Sequence, residues 1–207
     1  MFFSVYSYVS SQEIIYTDMS DTTDTLTSLS ETTFVIPYIM VIGHSWAYGA
    51  FHNYNDFFKN YNINIDENTQ VGTSLQWTLE NVQSLPENKY NALCIFSGIN
   101  DYRYDVNYIA EKFVQIFQEG FKKANVLFVF NIPDYPPASE KVKVLNEWLS
   151  EMAKINEGLI IIDINKEIEL QKSSGFKMSA DELHPSSYDV VQDLFIYVVQ
   201  KYFYNKK

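Results

Sequence analysis

The chain is 207 residues long, 46% apolar and 20% charged, which is enough for one globular domain with a hydrophobic core. A formal net charge of −11 argues against a phosphate-backbone partner, so no nucleic acid is expected. One cysteine, Cys94, and three histidines exclude an internal disulfide framework and leave no cofactor or metal centre expected, and no apolar run reaches the ~20 residues that span a bilayer.

Charge divides the chain. Residues 1–36 hold five acids and no base, and within Thr17–Thr33 ten of seventeen residues are Ser or Thr. Such a stretch has little apolar surface to offset its ordering entropy, so 1–34 reads as an acidic tail or linker and 35–207 as the domain. The leading Phe2–Val9 is aromatic and lacks the basic start and aliphatic core of a secretory signal, which leans the compartment toward the cytoplasm.

From Val35 on, apolar runs alternate with amphipathic segments. Tyr38–Ile42 reads as a strand buried on both faces, ending at Gly43. Tyr48–Asn60 reads as one helix, with Phe51, Tyr54 and Phe58 on one face, and Asn62–Ile65 as a short second strand. Thr73 and Gln76 form a T-x-x-Q capping box ahead of Leu75, Leu79 and Val82, and Pro86 stops that helix. Ala92–Phe96 is a third strand, Tyr108–Phe121 a helix with a broad apolar stripe, and Val126–Phe130 a fourth strand closed by a Pro-rich turn. Ser139 caps a helix that turns Val142, Leu145, Leu149 and Met152 inward. Leu159–Ile164 is the fifth strand, and Ser186 with Asp189 opens a last helix through Phe203, with Val190, Val191, Leu194 and Val198 inward. This alternation predicts an α/β fold, a five-stranded parallel sheet with helices on both faces, and right-handed crossovers leave few topologies. In such sheets ligands sit beyond the carboxyl ends of the strands, so residues just after each strand carry the information.

Three sets stand there. Gly43-His44-Ser45 follows strand one, where a Ser on a strand-to-helix turn is exposed over the sheet. Gly98-Ile99-Asn100-Asp101 follows strand three and can aim an amide over the sheet edge. Asp181-Glu182-Leu183-His184 precedes the last helix, where a carboxylate three residues from a His can fix its tautomer. Each is weak alone; together and in this order they resemble the SGNH (GDSL-type) hydrolase family over about Val35 to Phe203. The family blocks read G-H-S at 43–45, Gly72 in VGTS, G-I-N-D at 98–101 and D-E-L-H at 181–184.

The resemblance implies a three-layer α/β/α fold around a flavodoxin-like five-stranded parallel sheet, and a serine esterase with Ser45 as nucleophile, His184 as general base and Asp181 orienting it. It also implies an oxyanion hole from the N–H groups of Ser45 and Gly72 and the Asn100 side chain. One departure matters: the family has Asp where this chain has His44. The change bears on hydrogen bonding beneath the turn and on pH dependence, and is read as a tolerated substitution rather than a second base.

The substrate expected is a small-molecule or carbohydrate ester with a small acyl group such as acetyl, because no insertion offers a lid or long acyl tunnel. Trp46 and Trp77 are candidates for stacking on a sugar ring, against core packing as the alternative. Arg103, the only Arg in the chain, is a candidate for a carboxylate or phosphate, against a salt bridge to Asp101 or Asp105. Asp134 borders the same rim by position. Two further readings use the same residues: acyl transfer to an acceptor, or a non-catalytic α/β binding domain. His52 and Cys94 are expected to be structural.

Overall fold

The computed structural model describes residues 35–204; the tail or linker assigned to 1–34 lies outside the described residues. The strands are β1 (Tyr38–Gly43), β2 (Asn64–Thr69), β3 (Ala92–Phe96), β4 (Leu127–Phe130) and β5 (Leu159–Ile162). The helices are α1 (Ser45–Phe51), α2 (Asn55–Lys59), α3 (Leu75–Ser84), α4 (Val106–Lys123), α5 (Ser139–Ile155), α6 (Ile164–Lys172) and α7 (Asp189–Tyr204). The strands form one all-parallel sheet in the order β2-β1-β3-β4-β5, the flavodoxin-like order expected.

Strand residues alternate between two cores. Ile39, Val41, Cys94, Phe96 and Phe128 face a layer built from α1, α2, α6 and α7. Met40, Ile42, Leu93, Ile95 and Leu127 face α3, α4 and α5. In the first layer Phe51, Phe58 and Phe195 pack ring to ring at 5.0–5.6 Å. Truncating one such buried ring typically costs about 3–5 kcal/mol. The Cys94 thiol is fully buried, and burial pushes its pKa upward, as suits an inert core group. Among the described residues no helix is long and apolar enough to cross a membrane.

The structure corrects several expected elements. The single helix over Tyr48–Asn60 is two, because Asn53 takes a left-handed φ of 64° after His52 ends α1. Phe51 and Phe58 still point inward, while Tyr54 is exposed. β2 runs to Thr69 through the polar sequence NIDENT, pairing only with β1 at the sheet edge. The cap of α3 is Ser74, whose Oγ accepts from Trp77 N at 3.3 Å; Thr73 Oγ1 instead donates to the Gln70 carbonyl. Ser139 is the first residue of α5 and makes no side-chain cap. β5 stops at Ile162 because Asp163 caps α6, accepting from Lys166 N at 3.0 Å. Ser186 bonds the Lys177 carbonyl, and Ser187 takes the Asp189 N–H at the start of α7.

The register sets the site. Gly43, the last residue of β1, pairs with Thr69 of β2 on one side and Phe96 of β3 on the other, so three strands end level. A Cβ at Gly43 would lie 2.4 Å from the Phe96 carbonyl oxygen and 2.8 Å from Ala47 Cβ. The first contact is with backbone and cannot rotate away. Gly43→Ala is therefore expected to destabilise the fold by about 1–3 kcal/mol, read as a lowered midpoint in urea denaturation.

Candidate active site

β1 delivers His44 and Ser45 to the rim, where His44 N donates to the Phe96 carbonyl at 3.1 Å. Ser45 opens α1 and is 9% exposed. Its Oγ lies 2.7 Å from His184 Nε2, a bond between residues 139 apart in sequence. His184 Nδ1 lies 2.6 Å from Asp181 Oδ2. The other carboxylate oxygen, Oδ1, accepts the backbone N–H groups of Leu183 and His184, at 3.0 Å each. The donated ring hydrogen bond, and next these backbone bonds, hold the Asp181 pKa down to about 2. Asp181 is thus an anion at ordinary pH. An anion accepting at Nδ1 requires the proton there and leaves Nε2 free to accept from Ser45.

Sequence reading did not show how His184 is carried. Residues 177–186 fold back on themselves: Ser179 N donates to the His184 carbonyl at 2.7 Å and Ser186 N to the Lys177 carbonyl at 3.0 Å. Met178 and Pro185 make an antiparallel bridge between these bonds. The loop is then seated on α1. Tyr188 meets Trp46 edge-on at 6.3 Å, and its ring occupies the space where a Cβ on Gly49 would stand. Gln192 of α7 donates to the Ala50 carbonyl at 2.7 Å inside the core.

On the other side, the segment after β2 and the turn after β3 are stitched together. Asn100 Nδ2 donates to the Thr73 carbonyl at 2.8 Å. Asp101, 1% exposed, accepts the Leu75 N–H at 2.9 Å, and burial raises its pKa. Thr78 and Ser97 hydroxyls meet at 2.9 Å in the core. The Asn100 amide spends one of its two N–H groups on Thr73 and keeps the other. Gly72 holds a left-handed φ of 78°, and neither its N–H nor that of Ser45 makes a hydrogen bond among the described residues. The expected oxyanion donors therefore sit on the ends of three neighbouring strands with N–H capacity unspent.

His44 is fully buried and stands at the N-cap of α1, where its Nδ1 accepts the Trp46 N–H at 3.3 Å. This is the job an Asp does at an N-cap, performed by a ring nitrogen. Accepting at Nδ1 puts the ring proton on Nε2, which has no hydrogen-bond partner among the described residues. Burial, and to a lesser degree the nearby His184, pushes the His44 pKa down to about 3. His44 is thus a neutral cap and not a second base.

The remaining candidates fare differently. Trp46 is 0% exposed, 5.6 Å from the Phe96 ring, so it has no face to offer a sugar. Trp77 is half-buried against the second core. Arg103 is exposed and makes no salt bridge among the described residues, because Asp101 is buried against Leu75 and Asp105 caps α4 through Asn107 N. Its Nε donates instead to Tyr102 Oη at 3.1 Å. His52 Nδ1 pairs with Glu67 at 2.7 Å and its ring stacks on Tyr48. Asp134 lines a cavity of about 510 Å³ with Asn131, Asp163 and Asn165, which none of Ser45, Asp181 and His184 lines.

No family profile and no curated protein sequence matches the chain. Solved structures do. A member of the lipolytic G-D-S-L family from Veillonella parvula superposes with a TM-score of 0.67 at 18% identity, covering 79% of this chain and 98% of its own. A psychrotrophic esterase from Pseudoalteromonas sp., solved inhibited by monoethylphosphonate, gives 0.63 at 14% identity over 80% and 98%. The catalytic domain of a peptidoglycan O-acetyltransferase from Streptococcus pneumoniae, carrying a methylsulfonyl adduct, gives 0.59 at 17% identity over 81% and 92%. The chain has the SGNH-hydrolase fold.

The cap chemistry has a pH signature. A neutral buried His44 contributes in full above the unfolded-state pKa of 6.5, and that contribution is lost as pH falls toward about 3. Stability measured by urea denaturation is expected to fall across this window in the wild type. His44→Asn keeps a capping acceptor but cannot titrate, and is expected to flatten the slope there.

Proposed function

We propose that the protein is a serine esterase that hydrolyses small acyl esters, acetyl esters first among them, through Ser45, His184 and Asp181. The observation that carries this is the continuous relay from Ser45 Oγ to His184 Nε2 at 2.7 Å and from His184 Nδ1 to Asp181 at 2.6 Å.

A serine hydroxyl is a poor nucleophile until its proton has somewhere to go. Ser45 Oγ attacks the acyl carbon as His184 Nε2 takes the proton, and the cation formed on the ring is stabilised by the Asp181 anion. The carbonyl oxygen becomes an oxyanion, which the N–H groups of Ser45 and Gly72 and the spare Asn100 N–H receive. His184 returns its proton to the departing alcohol, leaving an acyl group on Ser45. Water, deprotonated by the same nitrogen, then releases the acid. Nothing in this cycle requires His44, which is neutral and turned to its cap.

Transfer is the second reading, favoured by the structural likeness to the peptidoglycan O-acetyltransferase domain. It uses the same acyl-enzyme with a sugar hydroxyl in place of water, and product analysis with an acceptor sugar present separates the two. A carbohydrate ester fits either.

Ser45→Ala is expected to abolish turnover of a small aryl acetate without lowering the denaturation midpoint; wild-type rates in that variant would remove the mechanism. Asn100→Ala is expected to cut kcat by about 10²–10³ with little change in KM, as loss of an oxyanion donor does. A loss confined to KM would place Asn100 in binding instead.

A further inference from the structure

We infer that Arg103 and the turn that carries it form a subsite for an oxyanion on the substrate, a carboxylate or a phosphate, beside the reacting ester. This rests on the esterase reading and adds the substrate class to it.

The turn after β3 is 3₁₀ over Ile99–Asp101 and stays helical through Tyr102, with φ −54° and ψ −20°. Tyr102 N bonds the Ile99 carbonyl and Tyr104 N the Asp101 carbonyl, at 3.3 and 2.8 Å. Arg103 lies three residues beyond Asn100 on this turn, so the two Cα atoms are no more than about 11 Å apart. A group held at Arg103 is thus one small spacer from the proposed oxyanion donor.

The turn is also held still. Lys141 reaches from α5 and donates to the carbonyls of both Tyr102 and Tyr104, at 2.6 Å each, clamping the backbone on either side of Arg103. The Tyr102 ring meets Tyr135 edge-on at 5.6 Å. Arg103 lies on that platform, with its guanidinium 5.5 Å from the Tyr102 ring centroid and its Nε given to Tyr102 Oη. Both terminal nitrogens are left without a partner among the described residues.

That vacancy is notable in this chain. There are 26 acids and a single Arg, yet the two nearest acids in sequence are committed elsewhere, Asp101 to Leu75 N and Asp105 to Asn107 N. A guanidinium packed by one edge on an aromatic ring, with its planar fork facing solvent, suits two parallel hydrogen bonds to a carboxylate or phosphate. Lys141 adds a second positive charge on the same turn.

The test compares three acetyl esters: 4-acetoxybenzoate, 4-acetoxyphenyl phosphate and the neutral methyl 4-acetoxybenzoate. The quantity read is the KM ratio of anionic to neutral ester, in which leaving-group effects cancel between variants. Arg103→Ala is expected to raise that ratio about tenfold, the loss of one charge-assisted contact, without moving the corresponding kcat ratio. Arg103→Lys, which keeps the charge and loses the fork, is expected to fall between. A shift with benzoate alone assigns a carboxylate, and with the phosphate alone a phosphate. Equal ratios in wild type and Arg103→Ala overturn the proposal. Should the wild type cleave none of the three, the esterase reading fails, and calorimetric titration with benzoate and phenyl phosphate decides the subsite. Saturable binding lost in Arg103→Ala sustains it, and absence of binding overturns it.

Discussion

The end of β1 is gripped from both sides. Gly43 pairs with Thr69 and with Phe96, and immediately beyond it the His44 N–H is taken by the Phe96 carbonyl while the Gly43 carbonyl receives Gln70 N. Because three strands stop level here, the segments leaving them emerge side by side at one rim. Ser45 leaves β1, Gly72 follows β2 and Asn100 follows β3. A slip of one residue in either pairing would turn the slipped strand's apolar residues to the wrong core and stagger its end against the rim. The buried bonds from Asp101 to Leu75 N and from Thr78 to Ser97 then fix α3 against the turn after β3. Fully satisfied polar pairs inside an apolar core are costly to break, so they hold the donors in place before any substrate arrives.

His184 comes to this rim by another route. It lies on a folded loop whose own hydrogen bonds set the distance between Asp181 and the ring, and whose exit, through Tyr188 and Gln192, is packed on α1. The proposed nucleophile and its proposed base are therefore referred to the same short helix, one by being its first residue and the other through the loop exit that packs on its side. His44 completes that helix. Its Nδ1 takes the N–H that an acidic cap would take, and burial keeps it uncharged. A neutral ring there makes the cap hydrogen bond without placing a negative charge next to Ser45.

Much of this was legible in the sequence. β1, β3 and β4 are buried on both faces, so each reads as an unbroken apolar run, and right-handed crossovers leave few strand orders open. Ser45, Asn100 and the Asp181–His184 pair are legible as candidates because they stand just after a strand or before the last helix. The edge strand β2 was mostly invisible, since a strand with a neighbour on one side tolerates the polar run NIDENT. The break between α1 and α2 depends on a left-handed Asn53, and α6 on Asp163 acting as a cap rather than a strand end. The contacts of Asp101 with Leu75, Tyr188 with Trp46 and Gln192 with Ala50 carried no local signal, because the partners lie far along the chain. The role of Trp46 was likewise undecidable until its burial against Phe96 was seen.

The central claim is that Ser45 is a nucleophile made reactive by His184. The most direct measurement is the rate and position of labelling by a serine-reactive fluorophosphonate, read by peptide mass spectrometry in the wild type and in His184→Ala. The account predicts one label, on Ser45, forming quickly in the wild type and falling by orders of magnitude without the imidazole. Labelling at another residue, or equal rates in the two proteins, would contradict it.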